Sequence, residues 1–182
     1  MNRREAFKTI VIGSTVLASS GVLAACARNE HADASASRVL SSADQDLIEE
    51  IADTLLPTTA SSPGARAAGA GAAINLLLSD CYKPEDQQRV VRGLSRFRDA
   101  CRERRKSDFA ELPRGQREQF LREIDGEARQ AGKEHYFHLV RELANTAYFS
   151  SEVGMTRALR YVQTPGRWVG CMPLQPGQPA WG

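Results

Sequence analysis

The side chains with the greatest capacity for chemistry in this chain are four cysteines and three histidines. No two cysteines stand in a Cys-x-x-Cys arrangement, so the sequence supports neither an iron–sulfur cluster nor a covalently attached c-type haem. His135 and His138 are three residues apart, which places both imidazoles near one face of a helix. Two histidines can begin a metal site, but no third ligand is evident, and structural histidines are the favoured interpretation.

Sequence motifs of nucleotide-binding loops and of nucleophile-bearing turns are also absent or incomplete. Residues 69–74 (Gly-Ala-Gly-Ala-Ala-Ile) begin like a dinucleotide-binding loop, but the third glycine and a preceding strand are missing. A flexible entry into a helix is the favoured interpretation of this run. The sequence contains neither a P-loop nor a Gly-x-Ser-x-Gly nucleophile turn. We therefore expect that this chain binds no cofactor and performs no catalysis by itself.

The charge balance argues against a nucleic-acid partner. The formal net charge is +2, from 24 basic and 22 acidic residues, and the first 25 residues account for all of the excess. A nucleic-acid-binding domain usually needs a clear cationic excess. The arginine-rich stretch 89–106 could contact phosphate, but Asp99 and Glu103 interrupt it. A solvated or partner-facing helix is the favoured interpretation of that stretch.

The first 26 residues predict an export signal. Their start resembles a twin-arginine signal, because Arg3 and Arg4 are followed by Phe7 and Lys8. The apolar middle, residues 9–25, is interrupted by glycine and serine. It is a poor candidate for a permanent transmembrane helix, because such a helix needs about 20 predominantly apolar residues. A paired arginine also occurs in general secretory signals, but the weak hydrophobicity favours the twin-arginine interpretation.

The signal ends in Leu-Ala-Ala-Cys, which looks like a bacterial lipobox with Cys26 at the cut. The cysteine is required because its thiol takes the diacylglyceryl group before the peptide bond is cleaved. Two or three acyl chains would then anchor the mature protein stably. The alternative is cleavage after the small-x-small triplet 25–27. We expect a periplasmic protein, anchored in a membrane through lipidated Cys26, with residues 27–40 as a flexible stalk.

Apolar residues at helical spacing predict an all-α domain of about five to six helices over residues 41–162. The first helix is predicted to start with a capping box of Ser42 and Gln45 and to stop at Pro57. Further helices are expected at about 72–81, from Pro84, from Pro113, at about 134–149, and as a short segment at 153–161. No stretch alternates with the period of a strand.

The last segment, residues 163–182, contains four prolines and four glycines and predicts an irregular tail. Its Trp168 and Trp181 need a place to bury their rings, either on this domain or on a partner. A disulfide between Cys81 and Cys171 would pin the tail to the body and contribute up to roughly 4–5 kcal/mol. Cys101 lies on an apolar stripe and is predicted to be a core residue.

Residues 148–162 resemble the signature of the gluconate 2-dehydrogenase subunit 3 family; the run is YFSSEVGMTRALRYV. Agreement extends upstream to residues 53–57, 63–69 and 80–82, and downstream to residues 165–168, 170–174 and 180–181. Met155 and Thr164 depart mildly from the family pattern. The likeness covers nearly the whole chain.

The resemblance implies a small, non-catalytic subunit of a membrane-associated flavin dehydrogenase that oxidises gluconate, glucose or a related sugar or polyol. A large catalytic subunit would hold FAD, and a multihaem cytochrome c subunit commonly passes the electrons to quinone. The small subunit would carry the twin-arginine signal for both chains, escort the flavoprotein through the twin-arginine translocase, and stabilise it afterwards.

The resemblance also makes seven residues candidates for the flavoprotein interface, or for bracing the segment that forms it. The other interpretation is that they simply close the fold. A rival from another class is a stand-alone helical periplasmic lipoprotein, acting as a binding or envelope module, which explains the signal and the helices but not the C-terminal likeness. The seven residues are Tyr148, Phe149, Glu152, Tyr161, Arg167, Trp168 and Trp181.

Overall fold

The computed structural model of the chain describes residues 38–164, 166, 169–173 and 175–181. Over these residues it confirms the predicted all-α fold, and the only strand-like pairing is one isolated bridge near the C-terminus. The last predicted short helix is a π-helical turn, Gly154–Ala158. The α-helices are α1 (Ser42–Leu55), α2 (Ala70–Cys81), α3 (Pro84–Arg105), α4 (Arg114–Ala131) and α5 (Tyr136–Phe149), with a 3₁₀ turn at Phe109–Glu111.

The cap of α1 lies one residue earlier than the sequence pattern predicts. Ser41 is the N-cap, and its hydroxyl accepts a hydrogen bond from the backbone N–H of Asp44 at 3.1 Å. Gln45 is not part of a capping box, because its side-chain oxygen accepts a hydrogen bond from Asn75 of α2 at 3.0 Å. The buried Asn75 also exchanges two hydrogen bonds with the backbone of Leu40. The side chain of Gln45, which the sequence pattern assigned to the cap, therefore takes part in a contact between α1 and α2 instead.

Helix α5 is the centre of the domain and contacts all four of the other α-helices. Its sequence is the most apolar of the later helices, and it buries residues on more than one face, as expected for a helix surrounded by others. Its buried residues are Tyr136, Phe137, Val140, Leu143, Ala144, Ala147 and Tyr148.

Helix α3 packs against α5 through a residue without a side chain. A Cβ at Gly93 would lie 2.1 Å from Cγ of Tyr136, so the Tyr136 ring rests directly on the backbone of α3. Burial raises the pKa of the Tyr136 phenol far above its usual value. The close approach of α3 and α5 depends on this glycine.

On its other side, α3 joins an aromatic cluster of Phe97, Phe109 and Phe120. The ring of Phe97 meets each of the other two edge-to-face, with centroids 5.1 Å apart. This geometry is the preferred one for aromatic pairs, and it connects α3, the 3₁₀ turn and α4.

The arginines of α3 mostly bind acidic residues of neighbouring elements rather than remaining free for an external partner. Arg98 pairs with Asp44 of α1 at 2.7 Å, and Arg102 pairs with Asp108 at 2.6 Å. Two more pairs, Arg104–Glu127 and Arg105–Glu123, connect α3 to α4. The helix is nevertheless solvated, as predicted, because Arg92, Arg96, Arg102 and Arg104 remain exposed.

Candidate partner interface

Several residues that the sequence singled out lie outside the described part of the chain. They are the signal residues Arg3, Arg4, Phe7 and Lys8, the lipidation candidate Cys26, and the interface candidates Arg167 and Trp168. The five other interface candidates lie in the described part, from the end of α5 to the C-terminal residues of the tail.

Tyr148 is buried and braces a loop. It is only 4% exposed, and its hydroxyl donates to the carbonyl oxygen of Pro63 at 2.7 Å. The hydroxyl of Ser62 lies 2.6 Å from the same phenolic oxygen. These contacts tie the loop between α1 and α2 to the end of α5. Tyr148 supports the segment that follows it and offers little surface to a partner.

Phe149 and Glu152 lie at the exposed end of α5 and in the turn after it. The Phe149 ring is 38% exposed and meets the Tyr148 ring edge-to-face, with centroids 5.0 Å apart. Glu152 is exposed, and its carbonyl oxygen accepts a hydrogen bond from the hydroxyl of Thr156 at 2.7 Å. Both side chains are accessible to a partner.

The turn that carries these residues folds tightly back on α5. The Ser151 hydroxyl donates to the carbonyl oxygen of Tyr148 at 2.6 Å and accepts from the backbone N–H of Gly154 at 3.0 Å. A Cβ at Gly154 would lie 2.0 Å from the Tyr148 carbonyl oxygen. Only glycine fits this approach. Within the signature run, Ser151 and Gly154 therefore have structural roles that the sequence pattern alone does not reveal.

The C-terminal part of the tail returns to the end of the π-helical turn through a contact that we name the Arg160–Trp181 clip. The backbone N–H of Arg160 donates to the carbonyl oxygen of Ala180 at 2.7 Å. The Arg160 guanidinium lies over the Trp181 ring, 4.2 Å from its centroid. Such a cation–π contact contributes about 0.5–1 kcal/mol at an exposed site. Local sequence spacing gives no sign of this role of Arg160, because its partner Trp181 lies far along the chain.

The tail, taken from here on to include Tyr161 and Val162, concentrates the exposed apolar side chains of the described residues. Seven large apolar residues are exposed in this part of the chain, and five of them lie between residues 161 and 181. Large apolar side chains that are exposed can contact a partner, and tryptophan and tyrosine are enriched among the residues that dominate binding energy. The five are Tyr161, Val162, Val169, Met172 and Trp181.

The predicted disulfide between Cys81 and Cys171 is not formed in the structure, where both residues are exposed free thiols. The Arg160–Trp181 clip holds the end of the tail instead. Cys101 is buried in the core as predicted, and its thiol contacts the carbonyl oxygen of Ser107 at 3.5 Å. Burial raises the pKa of this thiol.

The two neighbouring histidines are both engaged with backbone groups. Nδ1 of His135, the N-cap of α5, accepts from the N–H of Phe137 at 3.3 Å, and Nε2 of His138 lies 3.0 Å from the carbonyl oxygen of Ala128. Within residues 38–164 and the described parts of the tail, no group of three His, Cys, Asp or Glu side chains could hold a metal ion. In the same residues, no helix has the length and apolar character needed to cross a membrane.

Comparison with known proteins finds a match to one protein family. A family model described as "Gluconate 2-dehydrogenase subunit 3" matches residues 42–166. The match runs from the first residue of α1 into the tail and includes the whole signature run. No curated protein and no solved structure matches the chain.

Proposed function

The chain belongs to the gluconate 2-dehydrogenase subunit 3 family, and on that premise we propose that it is the non-catalytic small subunit of an FAD-dependent dehydrogenase. The family is a subunit of a dehydrogenase complex, so membership implies association with a catalytic subunit. In our proposal the chain binds that large subunit, escorts it through twin-arginine export, and then stabilises it. The large subunit would hold FAD and oxidise gluconate, glucose or a related sugar or polyol.

The observation that carries the proposal is the family match over residues 42–166. A contact surface of suitable character supports it, since exposed apolar residues are concentrated in the tail. The export signal and Cys26 extend the proposal to a periplasmic complex anchored by lipid. A multihaem cytochrome c subunit would accept the electrons from the flavoprotein.

The first prediction tests the tail as the contact surface with Tyr161→Ala combined with Trp181→Ala. These side chains are 45% and 46% exposed, so their removal leaves no cavity in the core. We expect the double variant to bind the purified large subunit at least about tenfold more weakly, as expected for loss of aromatic hot-spot residues. Its melting temperature should stay within about 3 °C of the wild-type value.

A matched control is Leu76→Ala, because Leu76 is 44% exposed but lies on α2, outside the tail. We expect this control to bind the large subunit as the wild type does. Binding can be measured by titration of the tagged full chain with the flavoprotein, using flavin absorbance to report the stoichiometry. If the tail variant and the control bind equally well, the tail is not the contact surface.

A further inference from the structure

A groove of about 500 Å³ lies between the end of α1, one face of α4 and the start of α5. Its apolar lining includes Leu55, which is half-buried, and Leu121 and Phe137, which are buried core residues. Pro57 and Thr54 continue the wall on the side of α1. The groove therefore offers a small apolar floor that is open to the outside.

The rim of the groove carries more positive than negative charge. Three guanidinium groups (Arg122, Arg129 and Arg141) face two carboxylates (Glu118 and Asp125). Asp125 pairs with both Arg129 and Arg141, at 2.6 and 2.5 Å.

Arg122 has only a 3.6 Å contact with Glu118, which Arg114 also approaches at 3.0 Å. The side chains of Arg122 and Arg129 are 78% and 72% exposed, so both can bind another carboxylate. The rim is thus complementary to an acidic group on a partner, and a guanidinium binds a carboxylate well through its fork of donors.

A glycine in the middle of α4 keeps the groove open. Gly126 lines the groove, and a Cβ built there would meet nothing within 4 Å. Glycine inside a helix costs about 1 kcal/mol relative to alanine, and no packing within the described chain requires it here. Glycine is the residue that permits close approach of another chain. This position therefore fits a surface against which a partner segment packs.

We propose that this groove receives a segment of the catalytic subunit that combines an apolar side chain with a carboxylate. The apolar side chain packs against Leu121 and Phe137, and the carboxylate binds Arg122 and Arg129. The inference rests on the proposed function for the existence of the partner, but it adds a second docking surface, distinct in its residues from the tail.

The test is the substitution Gly126→Phe in the full chain, which fills the groove from a position where the domain leaves space. The matched control is Gln116→Phe, because Gln116 is exposed on the same helix and does not line the groove. We expect Gly126→Phe to raise the Kd for the purified catalytic subunit at least about tenfold, and the control to leave it within about twofold.

A second variant, Arg122→Glu, reverses the most exposed charge of the rim. We expect it to weaken binding about fivefold or more at low salt, with a smaller effect in high salt, because rim charges are screened. It keeps the inference testable if the melting curve shows that Gly126→Phe does not fold.

The outcomes separate the inference from the function on which it rests. If the wild-type chain binds the catalytic subunit and both groove variants bind equally well, the groove is not a docking site while the proposed function stands. If the wild-type chain does not bind the catalytic subunit, the proposed function fails and the inference fails with it.

Discussion

At the scale of single residues, His135 links the stability of α5 to pH. Its Nδ1 accepts the hydrogen bond that caps the helix, and it can do so only while that nitrogen carries no proton. Burial lowers the pKa of His135 below its usual 6.5, and the neighbouring His138 lowers it further. The folded chain therefore favours the neutral imidazole that the cap needs.

We predict that the wild-type chain loses stability as pH falls below about 6.5. A base whose pKa is lower in the folded than in the unfolded state contributes stability above the unfolded pKa, because the unfolded chain binds the proton more readily. This contribution is lost as the pH falls from about 6.5 through the folded pKa. Urea unfolding between about pH 7.5 and pH 5 measures the effect.

The matched variant is His135→Asn, since asparagine is a good N-cap and does not titrate in this range. We expect the variant to lose less stability than the wild type over the same pH interval. Parallel loss in the two proteins would show that other groups, and not His135, set the pH dependence.

At the scale of elements, the packing of α3 on α5 depends on Gly93. The Tyr136 ring occupies the space where a side chain would stand, and even the Cβ of Tyr136 would lie only 2.6 Å from a methyl group added at position 93. A side chain at this position would therefore push the start of α5 away from α3, because the whole tyrosine must move.

We predict that Gly93→Ala lowers the free energy of unfolding by at least about 2 kcal/mol through overpacking. Gly126→Ala is the control, because it is also inside a helix but meets open space. It should be neutral or stabilise by up to about 1 kcal/mol through helix propensity. Chemical denaturation of both variants gives the comparison, and equal effects would contradict the packing explanation.

The elements also show which features a sequence can reveal. Pro84 begins α3 as predicted, because proline at a helix start depends only on local backbone geometry. The predicted cap of α1 is misplaced by one residue, because Ser41 accepts the hydrogen bond from the backbone N–H of Asp44. The side chain of Gln45 binds Asn75 on another helix instead of completing a capping box. Gly93, Arg160 and the groove of α4 depend on contacts between distant segments, and local spacing cannot predict them.

In the candidate interface, too, the sequence does not reveal which residues are buried by contacts with distant segments and which are exposed. The signature run contains buried Tyr148, structural Ser151 and Gly154, and exposed Phe149 and Tyr161. The resemblance identifies the run but cannot separate bracing residues from accessible ones. Cys81 and Cys171 are unpaired in this structure, and their pairing stays a prediction, because it depends on the path of the tail, which local spacing does not fix.

At the scale of the whole molecule, the helical domain offers its proposed partner two different surfaces. The tail presents exposed apolar side chains beside the Arg160–Trp181 clip, and the groove on α4 presents an apolar floor with a basic rim. We expect them to act together on one large subunit, since several moderate contacts on one partner reinforce each other.

The most direct test of the central claim is co-expression of this chain with a large flavoprotein encoded by a neighbouring gene, followed by fractionation of the cells. The periplasmic and membrane fractions are assayed for bound flavin and for dye-linked sugar oxidation. The control replaces Arg3 and Arg4 by lysine. We predict activity outside the cytoplasm that disappears in the control; equal export of the flavoprotein without this chain, or failure of the two to co-purify, would contradict the proposed function.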